Sequence, residues 1–137
     1  MKRAIIFLFS FFAFAKLVAQ KDENKTKEAE ITYTMAEKMP EYPGGMEALY
    51  KLLSNNIKFP ETCLRDKAFS ECKVFVKFIV NKEGYAVSFE VIKGCAGYPE
   101  CDVEALRVLS QMERWTPGSQ KGEAVNVYFT LPIRFKK

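Results

Sequence analysis

The chain has 137 residues, 48% hydrophobic, 28% charged and 14% aromatic, a globular composition on a length that suits one domain and leaves no room for two. It contains no histidine, which excludes a Ser/His/Asp triad, a Cys/His dyad, histidine-ligated zinc and histidine general-base chemistry. The net charge of +4 sits mostly at the N-terminus: without Lys2, Arg3 and Lys16 the 21 basic residues fall to 18 against 17 acidic ones, a net charge of +1. The remaining lysines form no basic face with aromatic readers, so nucleic acid is not an expected partner.

Residues 1–19 read as a secretory signal. Lys2 and Arg3 precede an apolar run broken only by Ser10, and Ala19 is a small residue before polar sequence. The run of twelve is short of the roughly 20 residues that span a bilayer. The alternative is an uncleaved anchor that continues across Lys16, whose ammonium can snorkel. The chain is therefore expected to be exported, either free or held to a membrane by this segment. Residues 20–38 are charged and poor in large apolar residues, a flexible arm in which Ile31, Tyr33 and Met35 alone alternate. The domain proper is expected over residues 39–137.

Met39-Pro40-Glu41-Tyr42-Pro43-Gly44-Gly45 must turn. A helix follows, with Met46, Leu49, Leu53 and Ile57 on one stripe and Leu52 beside it, and it must stop before Phe59-Pro60. Next, Val74, Val76, Phe78 and Val80 alternate as a strand. After Asn81-Lys82-Glu83-Gly84, Tyr85, Val87, Phe89 and Val91 alternate as a second. With Val80 opposite Tyr85, every apolar residue of the hairpin falls on one face. The other face carries Phe75, Ile79 and Ile92, to be covered either by the arm around residues 31–35 or by a partner or second copy.

Asp102 is placed to cap a helix over residues 103–112, with Ala105, Leu106, Leu109 and Met112 apolar. Trp115-Thr116-Pro117-Gly118 ends it, and the only tryptophan reads as a core anchor rather than a ligand platform. In the final strand Val125, Val127, Phe129, Leu131, Ile133 and Phe135 point one way, and Pro132 marks it as an edge. The expected fold is α+β, a two-layer sandwich in the order α-β-β-α-β, with a three-stranded antiparallel sheet and two helices on one face.

Cys63, Cys72, Cys95 and Cys101 all lie beyond the leader, and an even count in an exported chain favours disulfides. Three connectivities are open. The local one, Cys63 with Cys72 and Cys95 with Cys101, closes short loops each worth about 2 to 3 kcal/mol. The spacings resemble no zinc knuckle, and no motif asks for a metal or cofactor. Glu41, Glu90, Glu100, Asp102 and Glu104 form no paired constellation, so an enzyme is not expected.

In this order Met39-Pro40-Glu41-Tyr42-Pro43-Gly44-Gly45, Phe59-Pro60-Glu61, the strand and turn over residues 74–84, Glu104-Ala105-Leu106-Arg107-Val108, Trp115-Thr116-Pro117-Gly118 and Val127-Tyr128-Phe129-Thr130-Leu131-Pro132-Ile133 resemble the TonB C-terminal domain, with an opening motif similar to Bacteroidetes-type sequences. The resemblance covers residues 31–136. It implies a periplasmic, non-enzymatic module of TonB-dependent transmembrane transport, which binds the short TonB box of an outer-membrane receptor as an added strand. It also implies a link, through an anchor and a proline-rich spacer, to a proton-driven inner-membrane motor. Residues 20–38 contain no proline and reach at most about 65 Å, so the resemblance carries peptide binding further than energy transduction. An edge strand suits such docking, because its unpaired N–H and C=O groups accept an extended peptide. The expected docking residues are Val125, Asn126, Val127, Tyr128, Phe129, Thr130 and Leu131. The alternative is a stand-alone exported structural or regulatory domain, self-associating as a homodimer through the Phe75 and Ile79 face or the final strand.

Overall fold

The first helix, α1 (Gly45–Asn56), begins where Gly44 and Gly45 take the left-handed conformation, with φ of 82° and 83°. Leu49 and Leu53 are its buried residues, and it ends as expected before Phe59-Pro60. A short helix, α2 (Glu61–Arg65), then carries Cys63 into the interior. The computed structural model describes residues 30–137, and residues 31–137 form one unit. The leader and the start of the arm lie outside the described residues. Among the described residues no helix is long and apolar enough to cross a membrane.

β2 (Glu71–Val80) runs antiparallel to β3 (Ala86–Lys93) on one side and to β5 (Glu123–Lys136) on the other. β1 (Thr32–Tyr33) adds to β5 in parallel, and β4 (Gly118–Gln120) forms a tight hairpin with its start. The strand order is β1-β5-β2-β3. Helices α1 and α3 (Pro99–Leu109) contribute Leu49, Leu53, Ala105, Val108 and Leu109 to a core shared with Val74, Val76, Phe78, Leu131, Ile133 and Phe135. The architecture is the expected α+β one, with a third short helix and two short strands added.

Trp115 is the hub of that core. It is 2% exposed, and its ring meets Tyr42, Phe78 and Phe129 at centroid distances of 5.3, 5.8 and 5.0 Å. The proline and glycine motif is thereby explained as architecture. Tyr42 is buried and its Oη accepts the Glu113 N–H at 3.0 Å, while Glu41 and Thr116 exchange both backbone hydrogen bonds.

Two expectations fail for local reasons. Val80 pairs with Ala86 rather than Tyr85, and the ladder shifts between Lys77 and Ile79. Ser88 there takes a φ of 56°. Phe89 and Val91 consequently pack against the core, but Tyr85 and Val87 stand in solvent at 54% and 37% exposure. Asp102 does not cap a helix: α3 starts earlier, on Pro99, with a proline in its first turn. Asp102 Oδ1 instead accepts the Cys95 N–H at 3.0 Å and braces the loop before the helix. The cysteine connectivity, open from the sequence, is not the local one. The hairpin brings Cys72 beside Cys95, which are bridged at a Cα separation of 5.9 Å, while Cys63 and Cys101 are free thiols.

The arm does not cover the outer sheet face, since Ile31 and Met35 are 70% and 81% exposed. Lysine side chains lie there instead, Lys77 over the Tyr128 ring at 4.2 Å and Lys93 over Phe75 at 5.9 Å.

One contact between loop and helix start has a pH signature. Tyr98 Oη donates to Asp66 Oδ2 at 2.5 Å, which lowers the Asp66 carboxyl and, through the same hydrogen bond, pushes the Tyr98 phenol up to about 12. The phenol's contribution is present below its unfolded value near 10 and lost as pH rises toward 12. The carboxylate's contribution is lost as pH falls below about 3.8. Melting curves of Tyr98→Phe are expected to show a shallower loss of stability between pH 10 and 12 than those of the parent. Parallel pH profiles would contradict the contact.

Candidate functional site

β5 pairs with β2 without interruption, from Val127 opposite Val80 to Lys136 opposite Glu71. Before that ladder begins, Gln120, Ser119 and Gly118 pair with Glu123, Ala124 and Val125. On the other flank of β5 the arm's Thr32 and Tyr33 pair with Asn126 and Val127. From residue 128 to residue 136 no strand of the described residues lies on that flank.

The seven expected docking residues therefore fall into two groups. Val125, Asn126 and Val127 are taken by the chain's own β4 and arm, so the open edge does not begin at Val125. Asn126 is 6% exposed and its Oδ1 accepts the Lys82 N–H at 3.0 Å, tying β5 to the turn between β2 and β3. Tyr128, Phe129, Thr130 and Leu131 pair with β2 alone. Along them the expected alternation holds, with Leu131 buried and Thr130 exposed.

Further along, β5 borders a groove. Its open volume of about 570 Å³ lies between Pro132, Ile133 and Arg134 of β5 and Glu47, Tyr50, Lys51, Leu53, Ser54 and Ile57 of α1 and its end. Tyr50 is 44% exposed, so an aromatic edge is available on the helix wall. Arg134 is braced by Glu71, with Nη2 2.6 Å from Oε2, and this guanidinium holds the Glu71 carboxyl below its ordinary range.

The helix wall is fixed from behind. Arg107 Nη2 donates to the Asn56 carbonyl at the end of α1 at 2.7 Å and pairs with Glu104 Oε1 at 2.6 Å. Glu104 Oε1 also accepts the Lys58 N–H, and the Arg107 hydrogen bond lowers its carboxyl pKa. A cation over exposed C-terminal carbonyls is favourable there.

Pro132 explains the orientation of the edge. It sits opposite Phe75 within an uninterrupted ladder, which a residue without an N–H tolerates only if its backbone faces away from β2. Because backbone groups alternate along a strand, residues 128, 130, 134 and 136 then turn their N–H and C=O toward the open flank, and Pro132 offers a carbonyl alone.

The sheet has a second edge, β3, but it is unsuited to pairing. Two register shifts and the positive φ of Ser88 bend it, and Glu90 and Lys93 stand exposed along it. Bulges and charges of this kind protect an edge from added strands.

The candidate acids do not converge. Glu104 is committed to Arg107, Asp102 to the Cys95 amide, and the Glu41 backbone to Thr116. Sequence reasoning found the strand but missed the groove, whose walls come from α1 and the end of β5, far apart in the chain, and share no local pattern.

The family model for the Gram-negative bacterial TonB protein C-terminal matches residues 55–136, from the end of α1 through β5. Comparison with curated proteins and with solved structures finds no match.

Proposed function

Since the chain belongs to the Gram-negative bacterial TonB protein C-terminal family, whose domains are non-enzymatic and serve transport in the cell envelope, we propose that it docks an extended segment of an outer-membrane receptor on the open flank of β5. The segment adds as a strand along residues 128–134, in the periplasm. The observation that carries this reading is the unoccupied flank running beside the α1 groove, on a strand whose pairing with β2 shows no register shift.

Backbone hydrogen bonds to Tyr128, Thr130 and Arg134 supply affinity that is independent of sequence, and alternate side chains of the added strand supply selectivity. Those turned inward meet Tyr50, Leu53 and Ile57. Those turned outward lie beside the rings and lysines of the sheet's exposed face. The arm's Thr32 and Tyr33 end the docking site at residue 127, because a strand cannot occupy a flank already paired. Self-association has no such groove in its favour.

Titration with a synthetic TonB-box peptide, followed by backbone amide resonances, tests the proposal. Shifts are expected to concentrate at Tyr128, Thr130 and Arg134 and on α1 residues facing the groove. Shifts confined to β3, or none at millimolar peptide, would remove it.

A further inference from the structure

Two cysteines remain without a role in the fold or in docking. Cys63 on α2 and Cys101 in the first turns of α3 are both 0% exposed, and their Sγ atoms lie 3.4 Å apart. Packing alone does not ask for thiols at both positions, since a thiol in a core behaves as a small hydrophobe. A metal is not indicated either, because no group of three ligating side chains occurs among the described residues.

We propose that Cys63 and Cys101 form a second disulfide, nested around the Cys72–Cys95 bridge, that locks α2 onto the start of α3. In the step two S–H bonds break and one S–S bond forms. The two electrons and two protons pass to an external disulfide donor, whose own S–S bond is cleaved to two thiols. Conditions that oxidise Cys72 and Cys95 in this chain supply such a donor.

The nesting favours this pairing. Cys72 and Cys95 both lie between Cys63 and Cys101 in sequence, and once joined they shorten the loop the outer pair must close. Timing follows from burial. Burial and the neighbouring Cys63 sulfur push the Cys101 thiol up to about 12, so almost no thiolate exists in the closed core and exchange there is slow. The bond therefore forms while α2 and α3 are still coming together, and afterwards it is shielded from reductants.

The test uses the full chain, reduced and unfolded, then returned to native buffer with reduced and oxidised glutathione. After acid quenching and denaturation it is treated with N-ethylmaleimide. No adduct is expected before reduction and four after it. Digestion with trypsin and with a glutamyl endopeptidase, which cuts after Glu100 and so separates Cys95 from Cys101, is expected to yield a linked peptide pair containing Cys63 and Cys101. Adducts on Cys63 and Cys101, or a link from Cys63 to Cys72 or Cys95, would overturn the proposal. The double variant Cys72→Ser/Cys95→Ser provides a second reading: in the same buffer it is expected to carry no adduct, and two adducts would count against the outer bond.

Discussion

Gly84→Ala is expected to destabilise the domain by roughly 3 to 5 kcal/mol, among the larger effects a single methyl group can have. Two causes act together. Gly84 closes the turn between β2 and β3 at a φ of 90°, with its N–H donated to the Asn81 carbonyl at 2.9 Å. A side chain in the left-handed region costs about 1 to 2 kcal/mol. A Cβ at this position would also overlap the Trp115 carbonyl oxygen, which is backbone and cannot rotate aside. The Trp115 N–H donates to the Gly84 carbonyl at 2.8 Å, so turn and tryptophan are held at contact distance from both directions. Relief would require moving Trp115 against Tyr42, Phe78 and Phe129.

Gly97 is the control. Its φ is 84°, but a Cβ there meets nothing within 4 Å. Gly97→Ala is therefore expected to cost only the conformational term of about 1 to 2 kcal/mol. Urea unfolding of both variants with the disulfide intact separates the two causes. Equal losses would mean that the approach of Trp115 to the turn carries no energetic weight. Against a total stability of about 5 to 15 kcal/mol for a domain of this size, the Gly84 variant would lose a large share of its reserve.

How far the sequence reveals this molecule depends on the range of the interaction concerned. α1 and β2 were legible because periodicity and a terminating Phe59-Pro60 are local signals, and the observed bounds follow them. β5 was legible as an alternating strand for the same reason. The register of β3 was not, because it depends on a positive φ at Ser88, a residue type that does not announce one. Asp102 was misread as a helix cap: it lies inside the first turn of α3, and its carboxylate accepts from a loop amide instead. Its partner, the Cys95 N–H, is set by how the loop folds back before α3.

The cysteine pairing and the candidate site share this limit. Spacing left three connectivities open, and the observed bridge follows strand pairing across 23 residues. In the same way alternation along β5 shows which side chains face the core, but it carries no information about which flank is occupied. The two-residue arm strand decides that, and it moves the open edge from residue 125 to residue 128.

Thr130→Pro and Leu131→Pro, one residue apart, are expected to have opposite consequences. Position 130 has the parity of Pro132, so its N–H faces the open flank, and its side chain is exposed. Proline there leaves the ladder to β2 and the core intact, and the fold is expected to persist with a near-parent melting temperature. The added strand loses a donor and meets the proline ring. Loss of a hydrogen bond of about 1 kcal/mol together with that obstruction should weaken peptide binding roughly tenfold or more. Position 131 turns its N–H toward β2, opposite Val76, and its side chain is 1% exposed. Proline there removes a ladder bond and a core leucine, a loss of at least about 3 kcal/mol, and the variant is expected to be largely unfolded before any peptide is added. Circular dichroism melts and peptide titration by calorimetry read the two effects separately. If Thr130→Pro binds peptide as the parent does, the segment docks somewhere other than this flank; if it unfolds as Leu131→Pro does, the orientation of the strand deduced from Pro132 is reversed.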